Sequence, residues 1–218
     1  LIDLQNVHDT KKGGSPADAQ LAQKVNLNIA LFIRDLLSIA HLPNMRDTKF
    51  RTYVFDMLED YMLSTQIKIS SSFVRMRLEF VEIIFDHEYI IEFAANSTTK
   101  FVTNFMIDVL LKALKERESK DKAVAILTQL LTKFDYSAEY QDDGRRNAIS
   151  LVFAPFLENL IADFDQCTKD MKTNTTEKLS VVILHLFRNY EQQHWSSIWL
   201  ARTPVFLSNF VKLMSLTL

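Results

Sequence analysis

The most reactive side chains in close order are Asp86, His87 and Glu88, within FDHEYIIEF. Two carboxylates and an imidazole could bind a metal or pass a proton. Helical metal ligands, however, recur one turn apart, as in His-Glu-x-x-His, or are completed by a second cluster. Neither is present, because His8, His41, His185 and His194 are scattered along the chain. A histidine at the C-terminal end of a helix is favoured by the macrodipole, so the triplet reads as a helix end with a structural role. Asp142-Asp143-Gly144 lacks the alternating oxygen ligands and terminal glutamate of a calcium loop and reads as a turn leading into a helix. Lys11-Lys12-Gly13-Gly14-Ser15 has the residue types of a phosphate loop in the wrong order. Cys167 follows Gln166 in a polar stretch with no neighbouring base, so it reads as a passive thiol. Trp195 and Trp199, one turn apart, have the type and spacing of partner anchors, against the alternative that Trp199 seals a junction between helices.

The elements that must carry these residues are helices. Among 218 residues there are only 3 glycines and 4 prolines, too few for the turns of a sheet protein. From Asn26, Ile29, Phe32, Ile33, Leu36, Leu37 and Ala40 recur at three and four residues and predict a first helix ending before Pro43. Phe50, Val54, Met57, Leu58 and Tyr61 predict a second. A third begins near Ser71 or Ser72 and places Phe73, Met76, Phe80, Ile83 and Ile84 inward.

A fourth helix, from about Ser97 to Thr99, carries Phe101, Phe105, Val109 and Ala113 and ends in KERESKDK, which reads as a solvated charge run. The fifth starts at Asp121 with Val124, Leu127, Leu130, Leu131 and Phe134. The sixth stripe is the most regular: Ile149, Val152, Phe153, Phe156, Leu157, Leu160, Ile161 and Phe164. Pro155 interrupts it at a cost of about 3 kcal/mol in a helix interior, which predicts a bent helix stabilised by packing on both sides. A seventh carries Leu179, Val182, Ile183, Leu186, Phe187 and Tyr190. The last follows Thr203-Pro204, a cap and a helix-starting proline, with Phe206, Phe210 and Leu213 inward.

These expectations describe an all-α chain, an armadillo/HEAT-like helical solenoid of about eight main helices. Alternate helices start near 26, 71, 121 and 174, a spacing of roughly 45 to 55 residues that suits helix-pair repeats. Residues 1–25 read as a flexible lead-in and 26–218 as the helical domain, a fragment of a larger protein since it begins at Leu1. With 25 basic and 27 acidic residues and no long run of one sign, the chain lacks the signature of a nucleic-acid groove, and proteins are the expected partners. A single cysteine suits a reducing compartment. No apolar run is long enough for a transmembrane segment. Asn96-Ser97-Thr98 and Asn174-Thr175-Thr176 match the glycosylation pattern, but without a secretory signal they read as chance.

Several segments, in order, resemble the dedicator-of-cytokinesis (DOCK) family. In LLTKFDYSAEYQDDGRRNAISLVFAPFLENLI, Asp135, Tyr140, Asp142, Val152, Phe153 and Pro155 fall on the family's aspartate, tyrosine and leucine-tyrosine-leucine-proline-leucine pattern, with Phe153 where tyrosine is usual. In RTYVFDMLEDYM, Arg51, Tyr53, Val54 and Phe55 match, with Thr52 replacing a glycine. His87 and Glu88 match a histidine-glutamate-histidine-tyrosine helix end, with Tyr89 replacing the second histidine. Asn189 and Trp199 keep the spacing of a lysine-asparagine pair followed by tryptophan. TTKFVTNFMIDVLLKALKE is nearest the zizimin-like branch. The asparagine-leucine-proline turn usual after Phe93 is missing, and the link from Gln166 to Glu177 is short.

The resemblance implies an armadillo-like scaffold between a lipid-binding C2-type domain and the catalytic domain of a guanine nucleotide exchange factor for Rho-family GTPases, Rac or Cdc42. It implies a non-enzymatic segment with no cofactor and no nucleic acid. Its partners would be other domains of the parent, the GTPase through that parent, and adaptor proteins. The implied location is the cytoplasm, with the parent recruited to the membrane periphery. The structural-motif residues are Arg51, Val54, Phe55, His87, Glu88, Asp135, Tyr140, Phe153, Pro155, Phe156, Asn189 and Trp199. The competing reading is an unrelated helical-repeat adaptor gripping a peptide helix with Trp195 and Trp199. A small hydrolase using His87 and Glu88 is the third.

Overall fold

The computed structural model describes residues 16–45, 49–63, 71–87, 107–136, 142–192, 194–196 and 203–216. Among them the chain is all-α, with ten helices and no strand: α1 (Pro16–Ala40), α2 (Lys49–Leu63), α3 (Ser71–Phe85), α4 (Ile107–Lys115), α5 (Lys120–Tyr136), α6 (Asp143–Val152), α7 (Ala154–Ala162), α8 (Phe164–Thr168), α9 (Thr173–Arg188) and α10 (Pro204–Ser215). None is long and apolar enough to cross a membrane. The chain divides into two compact units, residues 1–90 and 91–218.

In the first unit α1 packs on α2 and α3. It starts at Pro16, ten residues before the periodic stripe read from Asn26. Proline at a first helical position, with Asp18 in the first turn, is a start signal that needs no apolar stripe. The face of α1 also differs from expectation. Ala22, Asn26, Ala30, Ile33, Leu37 and Ala40 are buried, whereas Phe32 is 58% exposed, because small residues let neighbouring helices approach the other side. From α2, Val54 and Leu58 fill the core, and from α3, Val74, Leu78, Phe80, Val81, Ile84 and Phe85 do so. Asn26 ties the three helices: its Nδ2 donates to the Met76 carbonyl at 2.9 Å, and its Oδ1 accepts from the Tyr61 hydroxyl at 2.8 Å. The Tyr61 ring stacks on Phe80 with centroids 4.8 Å apart.

In the second unit α9 packs along α5, α5 along α4, and α7 and α8 against both α4 and α10. Helices laid on neighbours in this way are the local pattern of a helical solenoid. Leu179, Val182, Ile183, Leu186, Phe187 and Tyr190 are all buried, as their spacing predicts. The start of α10 also follows the sequence: Thr203 Oγ1 accepts from Phe206 N at 3.3 Å, and Pro204 opens the helix.

Two expectations fail here. KERESKDK is not wholly solvated, because Ser119 and Lys120 are 4% and 3% exposed. The sixth stripe is not one bent helix but three, α6 to α8, separated at Phe153 and Asp163. Dividing one of the eight expected helices into three accounts for the ten observed.

Candidate functional site

Pro155 has no N–H for the Leu151 carbonyl, so a continuous helix would lose a bond and crowd that carbonyl. The chain avoids both by stopping and restarting. Phe153, at φ −89° and ψ −3°, donates to Ser150 O at 3.1 Å. Helix α7 then begins at Ala154 with the proline in its first turn, where no intrahelical donor is required. A second interruption follows at Asp163, at φ −105° and ψ 24°. Interrupted helices leave terminal carbonyls in need of partners.

Side chains from other helices supply them. Asn209 of α10, buried, points its Nδ2 at the carbonyls of Ile161 and Ala162, at 3.1 and 3.4 Å. Lys120, the first residue of α5, donates from Nζ to the carbonyls of Gln166 and Cys167 at 3.0 and 2.6 Å. Its burial pulls its protonation below the ordinary lysine range, although the nearby Cys167 and Asp170 oppose that shift. Lys115, at the end of α4, binds the Asp163 carboxylate. Neither Asn209 nor Lys120 stood out in the sequence. Their only signal was a polar residue at an apolar register, visible in LSNFV but lost among the charges of KERESKDK.

Beside this joint lies a groove of about 430 Å³, lined by Ala162, Asp163, Asp165 and Gln166 on one wall and Val205, Ser208, Asn209 and Lys212 on the other. Lys212 Nζ binds both oxygens of Asp165, at 2.9 and 3.0 Å. Both carboxylates of the groove thus already hold lysines, and the Ser208 hydroxyl has no uncommitted base among the lining residues to activate it. Cys167, close by, is fully buried, and burial pushes its thiol up despite the charges of Lys115 and Lys120. A thiol kept protonated is a poor nucleophile. The chemistry available at the joint is hydrogen bonding and ion pairing.

Two motif residues, Asp135 and Asn189, each bond His185 in the same unit. Asp135, in the last turn of α5, lies 3.3 Å through Oδ2 from Nδ1 of His185 in the last turn of α9. Asn189, at the C-cap of α9, donates from Nδ2 to the His185 carbonyl at 2.9 Å. Burial lowers the imidazole's affinity for a proton, against the pull of Asp135 and with the help of Arg188 and Arg146.

The remaining motif residues sit apart. Arg51 places its guanidinium 5.7 Å from the centroid of the Phe55 ring, one turn on, beside the buried Val54. His87 lies just past α3, donating its backbone N–H to Ile84 O at 3.2 Å, and its Nε2 is 2.7 Å from Ser38 Oγ of α1. Phe153 and Phe156 are buried while Pro155 is exposed. Glu88, Tyr140 and Trp199 lie outside the described residues. Among the described residues no three His, Cys, Asp or Glu side chains are grouped to hold a metal ion. Trp195 packs its ring on Phe187, with centroids 4.7 Å apart, and edge-on to Tyr190 and Phe210.

Against known proteins, the chain is 26% identical over 212 residues to the guanine nucleotide exchange factor SPIKE 1 of Arabidopsis thaliana, a match covering 93% of this chain and 11% of that protein. It is 34% identical over 74 residues to dedicator of cytokinesis protein 8 of Mus musculus, covering 33% of this chain and 3% of that protein. The chain therefore spans about a tenth or less of the length of these relatives. No protein-family model matches it, and no solved structure does.

Proposed function

We propose that this chain is a non-catalytic helical scaffold within a DOCK-type guanine nucleotide exchange factor, armadillo-like and of the zizimin-like branch. In this reading it holds the membrane-binding and exchange domains of the parent in register while the parent activates a Rho-family GTPase, Rac or Cdc42, in the cytoplasm or at the membrane periphery. The observation that carries the reading is the similarity to SPIKE 1 along 93% of the chain, inside a protein named as an exchange factor of which the match covers 11%. The site geometry supports it, since the polar groups of the joint are spent on closing backbone and pairing charge.

Release of fluorescently labelled GDP from Rac and Cdc42 tests this. The 218-residue chain is expected to leave the release rate unchanged, while the parent protein accelerates it. Acceleration by the chain alone would overturn the scaffold assignment.

A further inference from the structure

The helices of the second unit lie in two rows. In one row α4 is followed by α7 with α8 and then by α10, each packed on the one before, and in the other α5 is followed by α9. Helices of the second row run parallel. Thr175, in the first turn of α9, donates to Asp121, in the first turn of α5, at 2.6 Å, and Asp135 meets His185 where both helices end. The first row has helix starts at residues 107, 154 and 204, and the second at 120 and 173. Both rows thus repeat about every 50 residues, close to the period of helix-pair repeats. By that period the next helix of the second row starts at about residue 223, past the 218 residues of this chain.

An open groove between α9 and α10 lies where that helix would pack. The two helices are antiparallel, since Ser180 Oγ donates to the Leu216 carbonyl at 3.0 Å, while Phe187, further along α9, meets Phe210, further back in α10, with centroids 5.7 Å apart. At about 100° per residue, Leu184 lies about 50° beyond Ser180 and Phe187 around α9, away from its buried face. Around α10, Leu207, Val211 and Met214 lie about 40 to 100° beyond Phe210, away from Asn209 and Lys212, which hold α7 and α8. Leu184 and Val211 are 42% and 63% exposed, and Leu207 and Met214 are half-buried. A terminal solenoid repeat needs a polar outer face, and this groove is apolar. We propose that it seats the next helix of the second row, supplied by the parent protein directly after residue 218 and parallel to α9, as α9 is to α5. The inference rests on the reading of the chain as a segment of a longer exchange factor, whose relative SPIKE 1 is matched over 11% of its length.

Thiol labelling and cross-linking test the proposal. Leu184→Cys and, independently, Val211→Cys are labelled with a maleimide in the 218-residue chain and in the parent protein; the native Cys167 is fully buried and does not compete. Both introduced thiols are expected to react at least about tenfold more slowly in the parent, where the added helix covers them. Equal rates in the two proteins overturn the proposal. A photo-reactive amino acid in place of Leu184 in the parent then identifies the cover, with cross-links expected to the first ~30 residues after position 218. Cross-links to a second copy, to the GTPase or to a distant part of the parent overturn it. Labelling rates are independent of GDP release, so a failure here is distinguishable from a failure of the scaffold reading.

Discussion

His185 Nδ1 stands 3.3 Å from Asp135 Oδ2, joining the last turns of α9 and α5. The pair combines attraction with burial, and burial is the larger effect on the imidazole, whose proton affinity falls below the ordinary value near 6.5. Where the folded state holds a proton less tightly than the unfolded chain, stability rises with pH. The contribution is complete above about 6.5 and is lost as pH falls through the lower folded value. Urea unfolding at pH 5.5 and 7.5 is expected to show a more stable chain at the higher pH, with a smaller difference in His185→Gln. An unchanged pH slope in that variant would remove His185 as its source.

Lys120 closes the carbonyls of Gln166 and Cys167 from a buried position. Lys120→Met keeps most of the side-chain volume and leaves those carbonyls without this donor, at an expected cost of about 1.5 to 3 kcal/mol. Glu118→Ala, at an exposed position of the same charge run, should change stability by no more than about 0.5 kcal/mol. Chemical denaturation of the two variants compares them directly, and equal small effects would contradict the burial of Lys120.

Pro155 and Phe156 are neighbours with opposite roles. Phe156 is fully buried, so Phe156→Ala should cost about 3 to 5 kcal/mol. Pro155 lies in the first turn of α7 and is exposed, so Pro155→Ala should shift stability by less than about 1 kcal/mol. A gain approaching 3 kcal/mol on removing the proline is the signature of a strained helix interior, and thermal melting would reveal it.

Asp170, between α8 and α9, has φ 56°. The left-handed region is accessible to aspartate and open to glycine, but costs other L residues about 1 to 2 kcal/mol. Asp170→Gly should leave stability near the wild-type value, whereas Asp170→Val should lower it by about that amount. Identical melting temperatures for the two variants would argue against a left-handed residue at this turn.

What the sequence determined by itself was the fold class and the inward face of most helices. Leu179 to Tyr190 and Phe206 to Leu213 keep an unbroken period near 3.6, and Thr203-Pro204 marks the start of a helix by local chemistry alone. Such signals need no knowledge of neighbours. The tertiary structure decided the rest, because it depends on what lies opposite each side chain. Small residues, Ala22, Ala30 and Ala40, bring helices close to one flank of α1 and leave Phe32 outside, although Phe32 is the larger apolar group. Lys120 is buried because the carbonyls of Gln166 and Cys167, 46 and 47 residues away in sequence, need a donor there. The stripe around Pro155 is periodic whether its helix bends or breaks, since either form points the same residues inward. At the second break, by Asp163, the carbonyls of Ile161, Ala162, Gln166 and Cys167 are closed by Asn209 and Lys120 from helices distant in sequence, partners that no local pattern announces.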